Sequence, residues 1–177
     1  EQDNVVNEGK EGRLQIKGAT VTSGYYNDPL NTKSTFTEDG WLITGDLAMI
    51  KAGNLYITGR EKDVIVINGV NYYSHEIESV VEECEGVTVS FTAACSIRKP
   101  KEDTDMLVIF FHSDIEEKNV LVELIKQIRK VIFQKNGINA DLVLPVQKDK
   151  IPKTEIGKIQ RPKLVQQLEA GDFHDVV

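Results

Sequence analysis

Two residues in the first third of this sequence carry groups that could bind a nucleotide. Asp46 follows Thr44 and Gly45 after an apolar run, and a carboxylate there can accept hydrogen bonds from vicinal ribose hydroxyls. Arg60 is a permanent cation with several donors and could contact a ribose or a phosphate. Taken alone, Asp46 is better explained as a turn-stabilising residue, and an ordinary surface arginine would look the same as Arg60.

Two lysines add a second kind of chemistry. Lys158 lies in a glycine-bearing basic loop ahead of a helix. A mobile loop could deliver its ammonium group to a carboxylate–phosphate reaction centre, where it would stabilise developing negative charge. Lys62 is flanked by charged residues between two apolar runs. In isolation, Lys62 is interpreted as part of a linker, and the loop around Lys158 as a solvated basic loop.

The sequence contains no convincing metal cluster or catalytic triad. Ser79 stands where a zinc HExxH motif beginning at His75 would need its second histidine. The chain has only three histidines, which lie far apart in sequence: His75, His112 and His174. We therefore predict no metal ligands among the site residues.

The elements that must position these residues change character near residue 60. Residues 11–60 contain short apolar runs bounded by Gly, Asn and Asp, which predicts β-strands, one of them ending in a polar turn at Asp46. From Ser74, a candidate N-cap, the apolar spacing becomes helical. From residue 64 onward, the order β-α-β-β-α-β-α predicts a small α+β fold with helices on one side of a sheet.

Several local signals mark boundaries within this pattern. The charged stretch 59–63 is typical of a domain junction, and Asn68-Gly69 predicts a turn soon after it. The best helix is predicted from about residue 115 to residue 135, and Asn136-Gly137 is its stop signal. A final helix is predicted over residues 161–168, with Pro162 in its first turn.

Composition excludes several classes of protein. The 177 residues are 40% hydrophobic and 28% charged, as in ordinary globular proteins, and the net charge of −7 argues against a general nucleic-acid binder. No apolar stretch has the length of a membrane span. Cys84 and Cys95 form no CxxC motif, so we expect free, buried thiols and a cytoplasmic protein. The start at Glu1 suggests a piece of a longer chain.

Taken together and in order, these features resemble the adenylate-forming superfamily of acyl-CoA synthetases, peptide-synthetase adenylation domains, luciferases and fatty acyl-AMP ligases. Residues 40–46 resemble its GW-x-x-TGD motif, and residues 152–161 its P-x-T-x-x-GK-x-x-R motif. Residues 12–29 and 59–78 resemble two further family segments, although Arg13 stands where Glu is usual. The likeness covers nearly the whole chain.

The resemblance implies a role for each residue singled out above. Asp46 would bind the ribose hydroxyls of ATP, and Arg60 would assist at the ribose or phosphates. Lys62 would be a hinge, and Lys158 would bridge the carboxylate and the α-phosphate during adenylation. After a domain rotation, a second loop would admit a phosphopantetheine arm to the acyl carbon, and its residues are Asn68, Gly69 and Val70.

It also implies a domain organisation. Residues 1–60 would be the β-rich C-terminal end of a larger N-terminal adenylation domain, and residues 61–63 the hinge. Residues 64–170 would be a small, mobile α+β C-terminal domain with a mixed sheet, and residues 171–177 a tail or linker. ATP and Mg²⁺ would be bound mainly by the preceding N-terminal region, with the phosphate loop and the acyl pocket. We therefore expect no acyl-AMP formation by these residues alone.

The segment from Gly69 to Glu78, with Lys62, resembles fatty acyl-AMP ligases and acyl-loading domains of polyketide and peptide synthetases. Asn71 stands where amino-acid-activating domains commonly carry Arg. We predict an ATP-dependent ligase that activates a carboxylic acid, expected to be a fatty acid, and transfers the acyl group to an acyl carrier protein. An acyl-CoA synthetase, an amino-acid adenylation domain and a non-catalytic partner-binding module remain alternatives.

Overall fold

The computed structural model describes residues 4–98 and 105–174, and the chain divides into two compact units, Glu1–Asp63 and Val64–Val177. One sequence-based expectation falls partly outside the described residues, namely the tail or linker over residues 171–177.

The first unit is an antiparallel sheet with one short helix. Its strands, in the order β1-β2-β3, are Glu11–Ile16, Leu42–Lys51 and Asn54–Arg60. Helix α1 (Pro29–Thr35) was not predicted, because the sequence there indicates only a turn. Asp28 caps this helix by accepting a hydrogen bond from the Asn31 N–H at 3.1 Å, and Pro29 suits the first helical position.

The prediction that a strand ends at Asp46 is wrong, since β2 continues to Lys51. Gly45 takes a left-handed backbone conformation, with φ +77°, and the pairing register with β3 shifts between Leu47 and Ala48. A local irregularity of this kind bends a strand and continues it beyond the bend. The turn signal at residues 44–46 therefore marks a bend within the sheet.

The second unit contains a three-stranded mixed sheet, a β-hairpin and three helices. Strands β4 (Val64–Ile67) and β5 (Val70–Tyr73) form the hairpin. The remaining elements, in chain order, are α2 (Ser74–Glu82), β6 (Thr92–Ile97), β7 (Met106–Phe111), α3 (Lys118–Asn136), β8 (Leu142–Pro145) and α4 (Arg161–Ala170). Strands β6 and β7 are antiparallel, while β7 and β8 are parallel, so the predicted α+β class with a mixed sheet is confirmed.

Helices cover both faces of this sheet, which corrects the prediction that they lie on one side. Leu107, Ile109 and Phe111 of β7 pack in one core cluster with residues of α2 and α3. Val108 and Phe110 pack in a second cluster with Leu164 of α4. Nearly every residue of β7 is apolar and buried, so both faces of the strand have to be covered.

The predicted helix boundaries are close to those observed. Tyr73 is the N-cap of α2, so Ser74, predicted as that N-cap, is instead its first helical residue. Helix α3 begins at Lys118 and ends as predicted at Gly137, whose N–H donates to the Phe133 carbonyl at 3.0 Å. Within the described residues, no helix has both the length and the apolar character needed to cross a membrane.

Both cysteines are buried thiols outside any disulfide bond, as predicted. Cys84 lies in the cluster beneath α2 and α3, and Cys95 in the cluster beneath α4. Burial raises the pKa of the Cys84 thiol above its ordinary value, and the neighbouring Glu83 carboxylate acts in the same direction. Both thiols are therefore core residues.

Gly86 provides a test of the packing between α2 and α3. Its φ is +98°, and a Cβ there would lie 2.8 Å from Cδ1 of Ile115. We expect Gly86→Ala to lower the free energy of unfolding by about 2 kcal/mol, from backbone strain and overpacking. Gly137→Ala is the control, because φ is +72° there but no described atom lies within 4 Å of the added Cβ. Urea unfolding followed by circular dichroism should give the larger loss for Gly86→Ala, and equal losses would contradict the packing argument.

Candidate functional site

Asp46 and Arg60 are brought together by the register of the first sheet. The two residues are paired directly across β2 and β3, and Arg60 Nε donates to Asp46 Oδ1 at 3.0 Å. The Asp46 side chain is 22% exposed and that of Arg60 is 61% exposed. The pair therefore presents a carboxylate and a guanidinium side by side at an accessible position on the first unit.

Thr44 fixes the backbone around Asp46. Its hydroxyl donates to the Leu14 carbonyl of β1 at 2.9 Å and accepts the Asp46 N–H at 3.0 Å. Gly45 supplies the positive φ between these two residues, and no described atom lies within 4 Å of where its Cβ would be. The Thr-Gly-Asp segment is thus held by one side chain and one left-handed residue, and the space beside Gly45 is open.

Lys62 is exposed and lies in the short 3₁₀ helix Glu61–Asp63 at the end of the first unit. Glu61 accepts a hydrogen bond from Arg13 Nε at 2.8 Å, which joins this turn to β1. Arg13 stands where the family usually has Glu, and its partner Glu61 has the opposite charge. The structure shows where the predicted hinge residue lies, and its motion stays a prediction.

Asn68 and Gly69 form the predicted turn, which is confirmed. Both residues have positive φ, +51° and +78°, as a two-residue turn of type I′ between antiparallel strands requires. Val70 follows the turn and is 52% exposed. The base of this hairpin is held in the second unit by Ile65, which is buried, and by Val66, whose N–H donates to Asp105 Oδ2 at 3.2 Å.

Lys158 lies on a closed hairpin formed by residues 153–159, here called the lysine hairpin. Lys153 and Ile159 form an antiparallel bridge. The Thr154 N–H donates to the Lys158 carbonyl at 2.8 Å, and the Lys158 N–H donates to the Thr154 hydroxyl at 3.1 Å. Gly157 makes the turn with φ +81°. The exposed Lys158 side chain therefore extends from a hydrogen-bonded hairpin, where the sequence indicated only a mobile loop.

A pair that sequence reasoning missed lies beside the lysine hairpin. Arg161 Nε donates to Glu78 Oε1 at 2.8 Å, and its Nη2 donates to Glu78 Oε2 at 2.7 Å. The Ala94 N–H also donates to Glu78 Oε1, at 2.9 Å. The two side chains are only 22% and 13% exposed, for Arg161 and Glu78 respectively. Both belong to segments that resemble family motifs, but 83 positions separate them and no local pattern links them.

Aromatic and basic side chains meet on the other limb of the lysine hairpin. Lys153 Nζ lies 3.3 Å from the centre of the Phe91 ring, a close cation–π contact. Buried His112 contacts the Val146 carbonyl through Nδ1 at 2.8 Å and Asp114 through Nε2 at 3.1 Å. The hydrogen bond with His112 holds the pKa of Asp114 below its usual value, and nearby Lys148 acts in the same direction.

The described residues contain no group of three or more His, Cys, Asp or Glu side chains that could hold a metal ion. Mg²⁺ usually takes only one or two carboxylates and completes its coordination with water and phosphate oxygens, so the predicted use of Mg²⁺ stays a prediction. Asp46 and Arg60 belong to the first unit, whereas Lys158 and the Asn68-Gly69 turn belong to the second.

An α+β fold, a Thr-Gly-Asp carboxylate beside an arginine, and a lysine hairpin are the features on which the resemblance to the adenylate-forming superfamily rests. Residues 62–174 match the Disco-interacting protein 2-like AMP domain, and the chain belongs to this family of the adenylate-forming superfamily.

Three known proteins illustrate the likeness. The chain is 39% identical to the nonribosomal peptide synthetase pngA of Aspergillus terreus, over 96% of this chain and 18% of the relative. The McyG A-PCP structure, complexed with phenylalanyl-adenylate, has a TM-score of 0.89 and 44% identity, covering 98% of this chain and 27% of that one. A structure from work on fatty acyl-adenylate ligases of E. coli and L. pneumophila has a TM-score of 0.78 and 27% identity. The match covers 97% of this chain and 30% of that one.

These comparisons confirm the adenylate-forming class and do not confirm the predicted fatty acyl specificity. The chain is more similar to the McyG A-PCP structure than to the fatty acyl-adenylate ligase structure, in both identity and TM-score, and its identity to the peptide synthetase pngA is also higher. The chain spans about a fifth of the length of pngA, 18%.

The contribution of the Asp46–Arg60 pair to folding can be tested at its exposed side, the arginine. We expect Arg60→Gln to change the free energy of unfolding by less than about 1 kcal/mol, as for other exposed ion pairs. Urea unfolding of the chain followed by circular dichroism measures this. Arg13→Gln, which removes the exposed partner of Glu61, is the matched control and should behave alike. A loss of several kcal/mol for Arg60→Gln would show that the pair has a structural role.

Proposed function

We propose that this chain is the C-terminal part of a peptide-synthetase-type adenylation domain that activates a carboxylic acid with ATP and transfers it to a carrier-bound phosphopantetheine thiol. One observation carries the proposal: the first unit presents a carboxylate–guanidinium pair, and the second presents an exposed lysine on a closed hairpin. These are the groups that a ribose and a carboxylate–phosphate reaction centre require.

In the first half-reaction, a carboxylate oxygen of the substrate attacks the α-phosphorus of ATP. The new O–P bond forms as the bond to the β-phosphate oxygen breaks, giving acyl-AMP and pyrophosphate. Asp46 accepts hydrogen bonds from the ribose hydroxyls, and Arg60 holds Asp46 and reaches toward the ribose or phosphates. The Lys158 ammonium group bridges the carboxylate and the α-phosphate, where negative charge accumulates in the transition state.

In the second half-reaction, the phosphopantetheine sulfur, as its thiolate, attacks the acyl carbon and AMP leaves with the electron pair of the broken C–O bond. Rotation at Lys62 withdraws Lys158 and brings the β4–β5 hairpin to the reaction centre. The exposed turn Asn68-Gly69 and Val70 then line the passage for the pantetheine arm. Two reactions at one place need different surroundings, and a domain rotation supplies them in turn.

The substrate is proposed to be an amino acid or a related small carboxylic acid, in place of the fatty acid predicted from the sequence. This is supported by the greater likeness to the McyG structure, which holds phenylalanyl-adenylate, than to the fatty acyl-adenylate ligase. Asn71 lies on β5, in the second unit, and is exposed, so its departure from the amino-acid-activating pattern is compatible with this substrate class.

Lys158→Ala is expected to reduce adenylation by the full-length protein about 10²–10³-fold, because one charged group that stabilises the transition state is lost. The measurement is substrate-dependent exchange of labelled pyrophosphate into ATP. Lys163→Ala is the matched control, since Lys163 is an exposed lysine in the first turn of α4. Near-normal exchange by Lys158→Ala would refute the role of this lysine.

The acyl substrate and acceptor are identified in one competition experiment. The full-length protein is given ATP, Mg²⁺ and a panel of amino, 2-keto and fatty acids, with holo carrier protein and coenzyme A together. Intact masses should show an aminoacyl or related small acyl group on the carrier, and unmodified coenzyme A. Acyl-coenzyme A as the main product would instead indicate an acyl-CoA synthetase, and a fatty acyl carrier would restore the fatty acyl-AMP ligase interpretation.

A further inference from the structure

The internal hydrogen bonds of the lysine hairpin fix Lys158 only relative to the rest of the hairpin, whose two limbs begin at Lys153 and end at Ile159. The position of Lys158 within the second unit depends on where those limbs are fixed. Apolar contacts hold Ile151 and Ile159 in the core cluster beneath α4. They are non-directional, so they leave the orientation of the hairpin to other contacts.

Arg161 supplies a directional contact three residues after Lys158. Its planar guanidinium makes two parallel hydrogen bonds to the two oxygens of Glu78, at 2.8 and 2.7 Å. A two-point contact of this kind fixes direction as well as distance. Arg161 is also the first residue of α4, whose Leu164 is fully buried, so the backbone that follows the lysine hairpin is fixed as well.

Glu78 is itself fixed on its far side. It lies in α2, and its Oε1 also accepts the Ala94 N–H of β6 at 2.9 Å. The side chain is 13% exposed, so solvent screens the contact only weakly. One carboxylate therefore joins α2, β6 and the start of α4.

We propose that Glu78 and Arg161 are positioning residues for adenylation, which set the place and direction of the Lys158 ammonium group. This inference rests on the role of Lys158 given under Proposed function. Neither residue touches the substrate in this proposal, and both act through the lysine hairpin. A misplacement of about 1 Å at a reacting centre can cost about 10²-fold in rate, which is why a rigid two-point contact close to a flexible lysine matters.

The contact between Lys153 and Phe91 fixes the opposite limb of the lysine hairpin. The ammonium group lies 3.3 Å from the ring centre, within the range of a strong cation–π interaction. Such a contact tolerates sliding of the cation over the ring, whereas the fork of Arg161 does not. We therefore assign the orientation of Lys158 to the Glu78–Arg161 pair.

Two conservative variants of the full-length protein test the proposal. Glu78→Gln keeps an acceptor for the Ala94 N–H but loses the charge that holds both guanidinium donors. Arg161→Lys keeps the charge but loses the two-point geometry. Each should lower kcat for pyrophosphate exchange about 10-fold to 10²-fold, with KM for ATP nearly unchanged. Transfer from chemically prepared acyl-adenylate to the holo carrier should stay within about two-fold, because Lys158 is not used in that step.

The decisive measurement repeats Glu78→Gln in a Lys158→Ala background. If Glu78 acts through Lys158, the second substitution should reduce exchange no further, because interacting residues are not additive. The matched control is Glu123→Gln, which disrupts the exposed Glu123–Lys126 pair of α3 and should leave both half-reactions unchanged. Thermal unfolding of each variant shows whether it is folded. If Glu78→Gln does not fold, the same measurement is made with Arg161→Lys in the Lys158→Ala background.

The outcomes separate this inference from the function on which it rests. A loss in Lys158→Ala with normal exchange in Glu78→Gln and Arg161→Lys would overturn the positioning role alone. If the losses of exchange activity add in the double variant, or if acyl transfer falls as much as exchange, the Glu78–Arg161 pair stabilises the fold and does not position Lys158. Normal exchange in Lys158→Ala would overturn the proposed function and the positioning role together.

Discussion

The second unit depends on a strand that is apolar on both faces. Because β7 is almost entirely buried, helices have to cover both sides of a sheet of only three strands. Helices α2 and α3 cover one face and α4 covers the other, so the chain must pass from one face to the other after β8. The lysine hairpin lies in this crossing segment, and its position follows from the need to bury β7.

The same constraint creates the place where Glu78 and Arg161 meet. Among the described strands, β6 lies at the edge of its sheet and pairs only with β7, so the Ala94 N–H has no partner in a described strand and donates to Glu78 instead. Glu78, from the helix on one face, accepts this N–H. Arg161, from the helix on the other face, donates two hydrogen bonds to the same carboxylate. A polar pair at the sheet edge thus links two layers whose interiors are separate.

Local signals in the sequence predicted local structure well. The Asn68-Gly69 turn, the end of α3 at Gly137 and the helix beginning near Pro162 were all found where the spacing indicated. Each depends on the backbone preferences of one or two residues. The short helix α1 was missed because its cap, Asp28, lies in a segment with the composition of a turn.

Features that depend on contacts between residues far apart in the sequence could not be predicted from local signals. The contact of Asp46 with Arg60 requires the pairing register of two strands, and the bend at Gly45 was mistaken for a strand end. The Glu78–Arg161 pair joins residues 83 positions apart. The resemblance to a family supplied candidate residues, because an ordered set of motifs carries information that single residues lack. It did not supply the contacts that hold those residues in place.

The contacts described for the lysine hairpin have both partners in the second unit. Phe91, Glu78 and the core beneath α4 all lie after the division at residue 63. If the second unit were exchanged between related proteins, it would therefore bring the contacts of the lysine hairpin with it. The residues of the first unit would not have to change to keep those contacts. In recombined enzymes of this family, a crossover placed between Asp63 and Val64 should preserve this geometry, whereas one placed between Glu78 and Arg161 would split the pair between two parental sequences.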